Sequence, residues 1–208
     1  MTGPGGGRRL SATRASVAVM NTSPVWEPPR TGDETAHLLG ALDRQRMTFW
    51  WKAEGLDAPG LTTRIGASSL TLGGLLKHLA GVEAVAATWR LDGSSPGSPW
   101  AEVDWGTTPD WDFASAADDP PEQLYARYVE TVAATRARHR EVVAADGLDR
   151  IISWGQEFGI ELSLRRMLFD LLEEYGRHTG HADLLREAVD GRVGEDPPED
   201  WAPPAAWA

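Results

Sequence analysis

The stretch Ser163-Leu-Arg-Arg-Met-Leu-Phe-Asp-Leu-Leu-Glu-Glu-Tyr-Gly-Arg-His-Thr-Gly-His-Ala-Asp-Leu-Leu-Arg-Glu-Ala-Val-Asp-Gly191 decides how the rest of the chain is read. At 100° per residue with His178 as zero, Leu164, Met167, Leu171, Ala182, Leu185 and Val189 fall within about 40° of one direction, an apolar stripe that a helix turns toward a core. Ser163 supplies a start and Asp190-Gly191 a stop. On that stripe sit Glu174 at about −40° and His181 at about −60°, so three ionisable groups interrupt the face that should be apolar. Unpaired buried charge costs several kcal/mol, so these groups either satisfy one another or surround a cation.

A second stripe repeats the anomaly. Ser69 is the expected cap of a helix from Leu70 to about Arg90, in which Leu75, Val82, Val85 and Trp89 share a face with His78. A Glu and a His four apart offer two donors about 6 Å apart at Cβ, and a facing helix can add a third. Three protein donors leave an open position, the mark of a catalytic rather than a structural metal site. Periodicity alone leaves a hydrogen-bonded helix face as the other reading.

Two further helical patterns complete the body. One runs from about Asp33 to Glu54; the other opens at Asp119-Pro-Pro-Glu122, read as a capping-box-like start, and continues to about Ala145. Four helices of this length predict an all-α four-helix bundle. Residues 91–118 form a long connection between the second and third helices, with Trp100, Trp105, Trp111 and Phe113 among Gly, Pro and Asp, as expected of a lid or a packed cover. The bundle is assigned to residues 31–191. Residues 1–30, Gly-rich and basic, are expected to be a disordered extension, with Met20 as an alternative start; residues 192–208 are expected to be a Pro-rich extended tail.

Composition narrows the chemistry. The chain has 208 residues with 31 acidic and 20 basic side chains, net −11, and the acidity falls on the body: residues 31–208 hold 16 basic against 30 acidic groups. Such a surface repels phosphate backbones, so no nucleic-acid partner is expected. No apolar run reaches about 18 residues, so neither a membrane span nor a membrane partner is expected. Zero Cys excludes a protein-borne thiol, agrees with a cytoplasmic location, and means that any thiol chemistry uses a borrowed thiol. Ten Trp imply several in the core or a pocket; exposed aromatics make a homodimer plausible. His37 and His139, among Glu, Thr and Arg, read as solvated.

Leu75-Leu-Lys-His-Leu-Ala-Gly-Val-Glu83 and Glu173-Glu-Tyr-Gly-Arg-His-Thr-Gly-His-Ala-Asp-Leu-Leu-Arg186 resemble the DinB superfamily, in its actinobacterial branch, over about Asp33 to Asp190. The superfamily includes mycothiol-dependent maleylpyruvate isomerase and bacillithiol transferases. The resemblance implies a four-helix bundle with a divalent metal, commonly zinc or nickel, and matches His78, Glu174 and His178 to the ligand positions. Glu174 departs from the commoner all-His triad and resembles the isomerase branch. His181 stands where many relatives carry Gln and is assigned beside the site or as a further ligand; Tyr175 is assigned to the pocket wall. The implied activity is a metal-dependent transferase or isomerase in which the ion activates mycothiol toward an electrophilic substrate. The alternative is a non-catalytic metal-containing binding or stress-response protein.

Overall fold

A computed structural model describes Met1 and residues 23–207 of the chain. The extension expected before residue 31 falls mostly on residues 2–22, outside the described residues. The described ones form seven α-helices: α1 Glu34–Ala53, α2 Ala58–Thr62, α3 Leu72–Ala87, α4 Trp89–Asp92, α5 Trp111–Ser115, α6 Pro121–Asp146 and α7 Leu164–Asp190. The four long ones, α1, α3, α6 and α7, make the bundle, with α1 packed along α7 and α3 along α6 and α7. None of these helices is long and apolar enough to cross a membrane.

Local chemistry accounts for the ends. Asp33, Thr71 and Ser163 each accept a backbone N–H three residues on, at Ala36, Gly74 and Arg166. Thr71, two residues after Ser69, therefore caps α3: its own backbone is extended, and its hydroxyl takes the Gly74 N–H. Gly191, at φ 79°, closes α7 in the left-handed conformation. Asp119 does not cap α6. Pro121 starts that helix by its fixed φ, while the Asp119 carboxylate pairs with Lys77 at 2.7 Å and Arg127 at 3.2 Å. Thr88 leaves helical geometry at φ −129°, ψ −92°, so α4 departs from the line of α3.

The core is aliphatic and aromatic, with Leu42, Phe49, Leu72, Leu75, Leu79, Val132 and Leu168 fully buried. A polar layer crosses it: Arg46 donates to both oxygens of Glu83, at 2.6 and 2.8 Å, inside the bundle, and Asp43 joins Arg46 to Arg136 and Arg140. Fork-to-fork geometry offsets the desolvation of both partners. His139 lies beside this layer and is buried, contrary to its reading as solvated. Its helix turns Leu124, Tyr128, Val132, Thr135 and Val142 inward along with it, whereas Arg140 and Glu141, which follow it in sequence, are exposed.

Residues 192–204 contain no helix, and the chain then comes back onto the bundle. Trp207 is buried and donates its indole N–H to the Val129 carbonyl, while Arg136 donates to the Trp207 carbonyl at 2.6 Å. Trp201 packs edge-on against Trp26, at 6.0 Å between centroids, and donates to Glu54. The segment 91–118 is likewise docked, with α5 against α3 and short 3-10 turns at Trp100–Glu102 and Ala116–Asp118.

Candidate metal centre

His78 comes from the middle of α3, and Glu174 and His178 from successive turns of α7, so the crossing of the two helices brings the three side chains together. Glu174 Oε1 lies 3.0 Å from His78 Nε2 and 3.2 Å from His178 Nε2. The two imidazole rings are 4.9 Å apart at their centroids, and one donor atom from each of the three residues lies within 4.8 Å of the others. Neighbouring donors on one ion, with bonds of about 2.1 Å, stand about 3.0–3.4 Å apart. Both His–Glu distances lie in that range, so two imidazoles and a carboxylate offer a donor set that fits a borderline divalent ion.

One residue absent from the sequence reading completes the arrangement. Asp112, on α5, is buried, and its Oδ2 lies 2.6 Å from His78 Nδ1. A carboxylate there accepts the Nδ1 proton and leaves a lone pair on Nε2. That lone pair points at Glu174 Oε1, 3.0 Å away. Two acceptors at that distance repel, so the space between them is held by a proton or by a cation. With protons only, the groups polarise one another: hydrogen bonds from His178 and then His78 hold the Glu174 carboxyl well below its usual range. Burial works against the charged form of His78, but the hydrogen bonds to Asp112 and Glu174 outweigh it and raise the imidazole to about 9.

The surrounding side chains fix these donors. Phe113 stacks on the His78 ring at 4.7 Å. Lys77, next to His78, reaches the other way: its ammonium lies 4.1 Å over the Trp111 ring and donates to Ser115 Oγ at 2.8 Å. Adjacent residues of α3 thus hold α5 in place, and α5 carries Asp112. Gly81 is required by the close approach of Trp100, whose Nε1 would lie 2.5 Å from a Cβ at that position.

His181 places its Nδ1 3.3 Å from His178 Nδ1, on the far side of that ring from Glu174, so it stands behind a donor and not among the three. Burial, then the neighbouring His178, lowers its pKa. Tyr175 is not a pocket wall. It is fully buried between Phe49 and Tyr128 and shares a 3.0 Å hydrogen bond with the Tyr128 hydroxyl, because its position on α7 turns toward α1 and α6. His37 is exposed and remote from these groups.

A cavity of about 580 Å³ opens against His78, Asp112 and Phe113 and is walled by α3, α4 and the segment that follows them. Its size is that of a small-molecule site. Val82, Val85, Trp89, Trp100, Val103 and Trp105 make most of its surface apolar. Of the three candidate ligands only His78 lines it.

Residues 37–191 match the family model described as mycothiol-S-transferase. No curated protein and no solved structure matches the chain. The matched span holds all three converging side chains, Asp112 and the long helices that carry them, and the chain belongs to the mycothiol-S-transferase family, a DinB-like family.

Proposed function

We propose that the protein is a metal-dependent S-transferase or isomerase that uses mycothiol, with a divalent ion, zinc or nickel, held by His78, Glu174 and His178. The observation that carries this reading is the shared Glu174 oxygen between two imidazoles, one of which, His78, lines an apolar cavity. The family match supports mycothiol as the thiol. An ion with an open position supplies Lewis acidity that draws a thiol's pKa toward neutrality.

The chain's own residues do the remaining work. Asp112 accepts the Nδ1–H of His78 and keeps Nε2 directed at the centre. Glu174 and His178, one helical turn apart, are held in mutual register by α7. Trp100 and Trp105 cover the cavity, and their apolar faces exclude the water that would compete with a thiolate for an electrophile. No protein thiol takes part, since the chain has no Cys.

The test incubates the metal-loaded protein with mycothiol and a panel of electrophiles. Thiol consumption above background that disappears in His78→Ala and His178→Ala supports the proposal. A metal-replete protein that never exceeds the uncatalysed rate refutes catalysis and leaves a metal-containing binding protein.

A further inference from the structure

We infer that Arg90 is the anchor for a carboxylate on the second, electrophilic substrate. This deepens the proposed function by naming a substrate class. Most arginines here are committed: Arg44, Arg46, Arg136, Arg140, Arg165 and Arg186, for example, all form ion pairs. Arg90 is not. It lines the cavity, its Nε is shielded from solvent and bonded to nothing among the described residues, and no carboxylate among them lies within ion-pair distance. Residues 2–22 contain no acidic side chain.

Its position is built. The break at Thr88 turns α4 away from α3, the Arg90 carbonyl accepts from Trp154 N at 2.9 Å, and the guanidinium stacks on the Trp154 ring at 4.4 Å. Stacking holds the guanidinium plane by its face and leaves its edge N–H groups to donate. The charges of Asp170 and Glu174 act on it from a distance, and neither pairs with it. Asp112 is occupied by His78, and Asp110 is exposed at the rim. The remaining wall is mostly apolar, and in such a setting an unpaired cation is costly until an anion meets it. Trp100 adds a second unmet donor: its buried Nε1 has no acceptor among the described residues and lies against Gly81, another wall residue. A planar group with two acceptor oxygens meets the edge N–H groups of a guanidinium as a fork, which a neutral amide or alcohol does not.

The test is equilibrium binding to the full chain as purified, read by calorimetry and by quenching of the cavity tryptophans. The probes are 3-phenylpropanoate and its isostere 3-phenylpropanamide. The wild type is expected to prefer the acid by about tenfold or more, the scale of a charge-assisted hydrogen bond. Arg90→Gln is expected to abolish the preference and Arg90→Lys to retain part of it. Equal affinity of the wild type for acid and amide overturns the inference whether or not any variant folds. So does a preference that survives in Arg90→Gln, and one that also vanishes in His78→Ala would place the anion on the ion. Because no thiol transfer is read, a protein that prefers the acid but never turns over mycothiol refutes the proposed function and keeps Arg90 as the anchor of a bound carboxylate.

Discussion

Replacing Asp112 with Asn tests whether α5 is part of the centre or only covers it. The substitution keeps shape and removes a charge from a buried oxygen 2.6 Å from His78 Nδ1. Across the ring and one coordinate bond, that oxygen stands about 6.5 Å from an ion on Nε2. A unit negative charge and a divalent ion at that distance attract by about 5 kcal/mol at an effective dielectric of about 20, which is an upper bound because the retained amide oxygen still accepts a hydrogen bond. Outer partners of ligating histidines are worth about 10–100-fold in metal affinity, or about 1.4–2.7 kcal/mol. The loss depends on pH in a defined direction. Against burial, the hydrogen bonds to Asp112 and Glu174 together stabilise the imidazolium and raise His78 to about 9, so below that pH the ion must displace a proton. In Asp112→Asn that competition weakens, which masks part of the loss at pH 7; the gap between wild type and variant should widen as pH approaches 9. The assay is zinc competition against a chelator of known affinity at both pH values, with Asp110→Asn, an exposed neighbour, as control. Affinities equal within twofold at both pH values, or an equal loss in the control, would refute the assignment of Asp112 to the centre.

Purified without a His-tag, the protein should carry a near-stoichiometric transition metal by elemental analysis, and His78→Ala and His178→Ala should each lose it. His139 is held near 3 by burial and by the Arg46 charge, whereas an unfolded chain titrates it near 6.5, so the unfolded state alone takes up that proton between the two values. Stability from this group is complete above about pH 6.5 and falls as pH drops, by about 3 kcal/mol at pH 4. Urea titrations should show a shallower acid slope in His139→Gln, by up to about 1.4 kcal/mol per pH unit between pH 6 and pH 4, and parallel slopes would refute this. Gly81→Ala drives a Cβ to 2.5 Å from the Trp100 indole nitrogen, so the cover must shift, at a cost of about 1–3 kcal/mol; an unchanged melting temperature and unchanged cavity-tryptophan fluorescence would contradict it. Trp207→Ala removes a buried ring and its bond to Val129, for an expected loss of about 3–5 kcal/mol in chemical denaturation. A loss under about 1 kcal/mol would show that the tail contributes little.

By itself the sequence determined the helices and which way their ionisable groups face. A period of 3.6 residues is a local property, so Leu164, Met167, Leu171 and Ala182 define an inward direction on α7, and Glu174 and His178 inherit it without knowledge of any neighbour. The same rule applied to α6 places His139 inward: Tyr128, Val132, Thr135 and Val142 share its face, and helical neighbours, not sequence neighbours, set its surroundings. Tertiary structure alone decided what meets those faces. Tyr175 points inward as the stripe demands, but whether inward means the cavity or the packed core depends on where Phe49 and Tyr128 lie. Asp112 reaches His78 across 34 residues from a helix of five, too short to carry a periodic signal. Trp207 and Arg90 belong to the same class, one a tail residue drawn into the bundle, the other an arginine left without a partner. Local periodicity fixes the direction of a side chain. Partnership between distant segments is set by which surfaces the folded chain excludes from water together, and no spacing in the sequence encodes that.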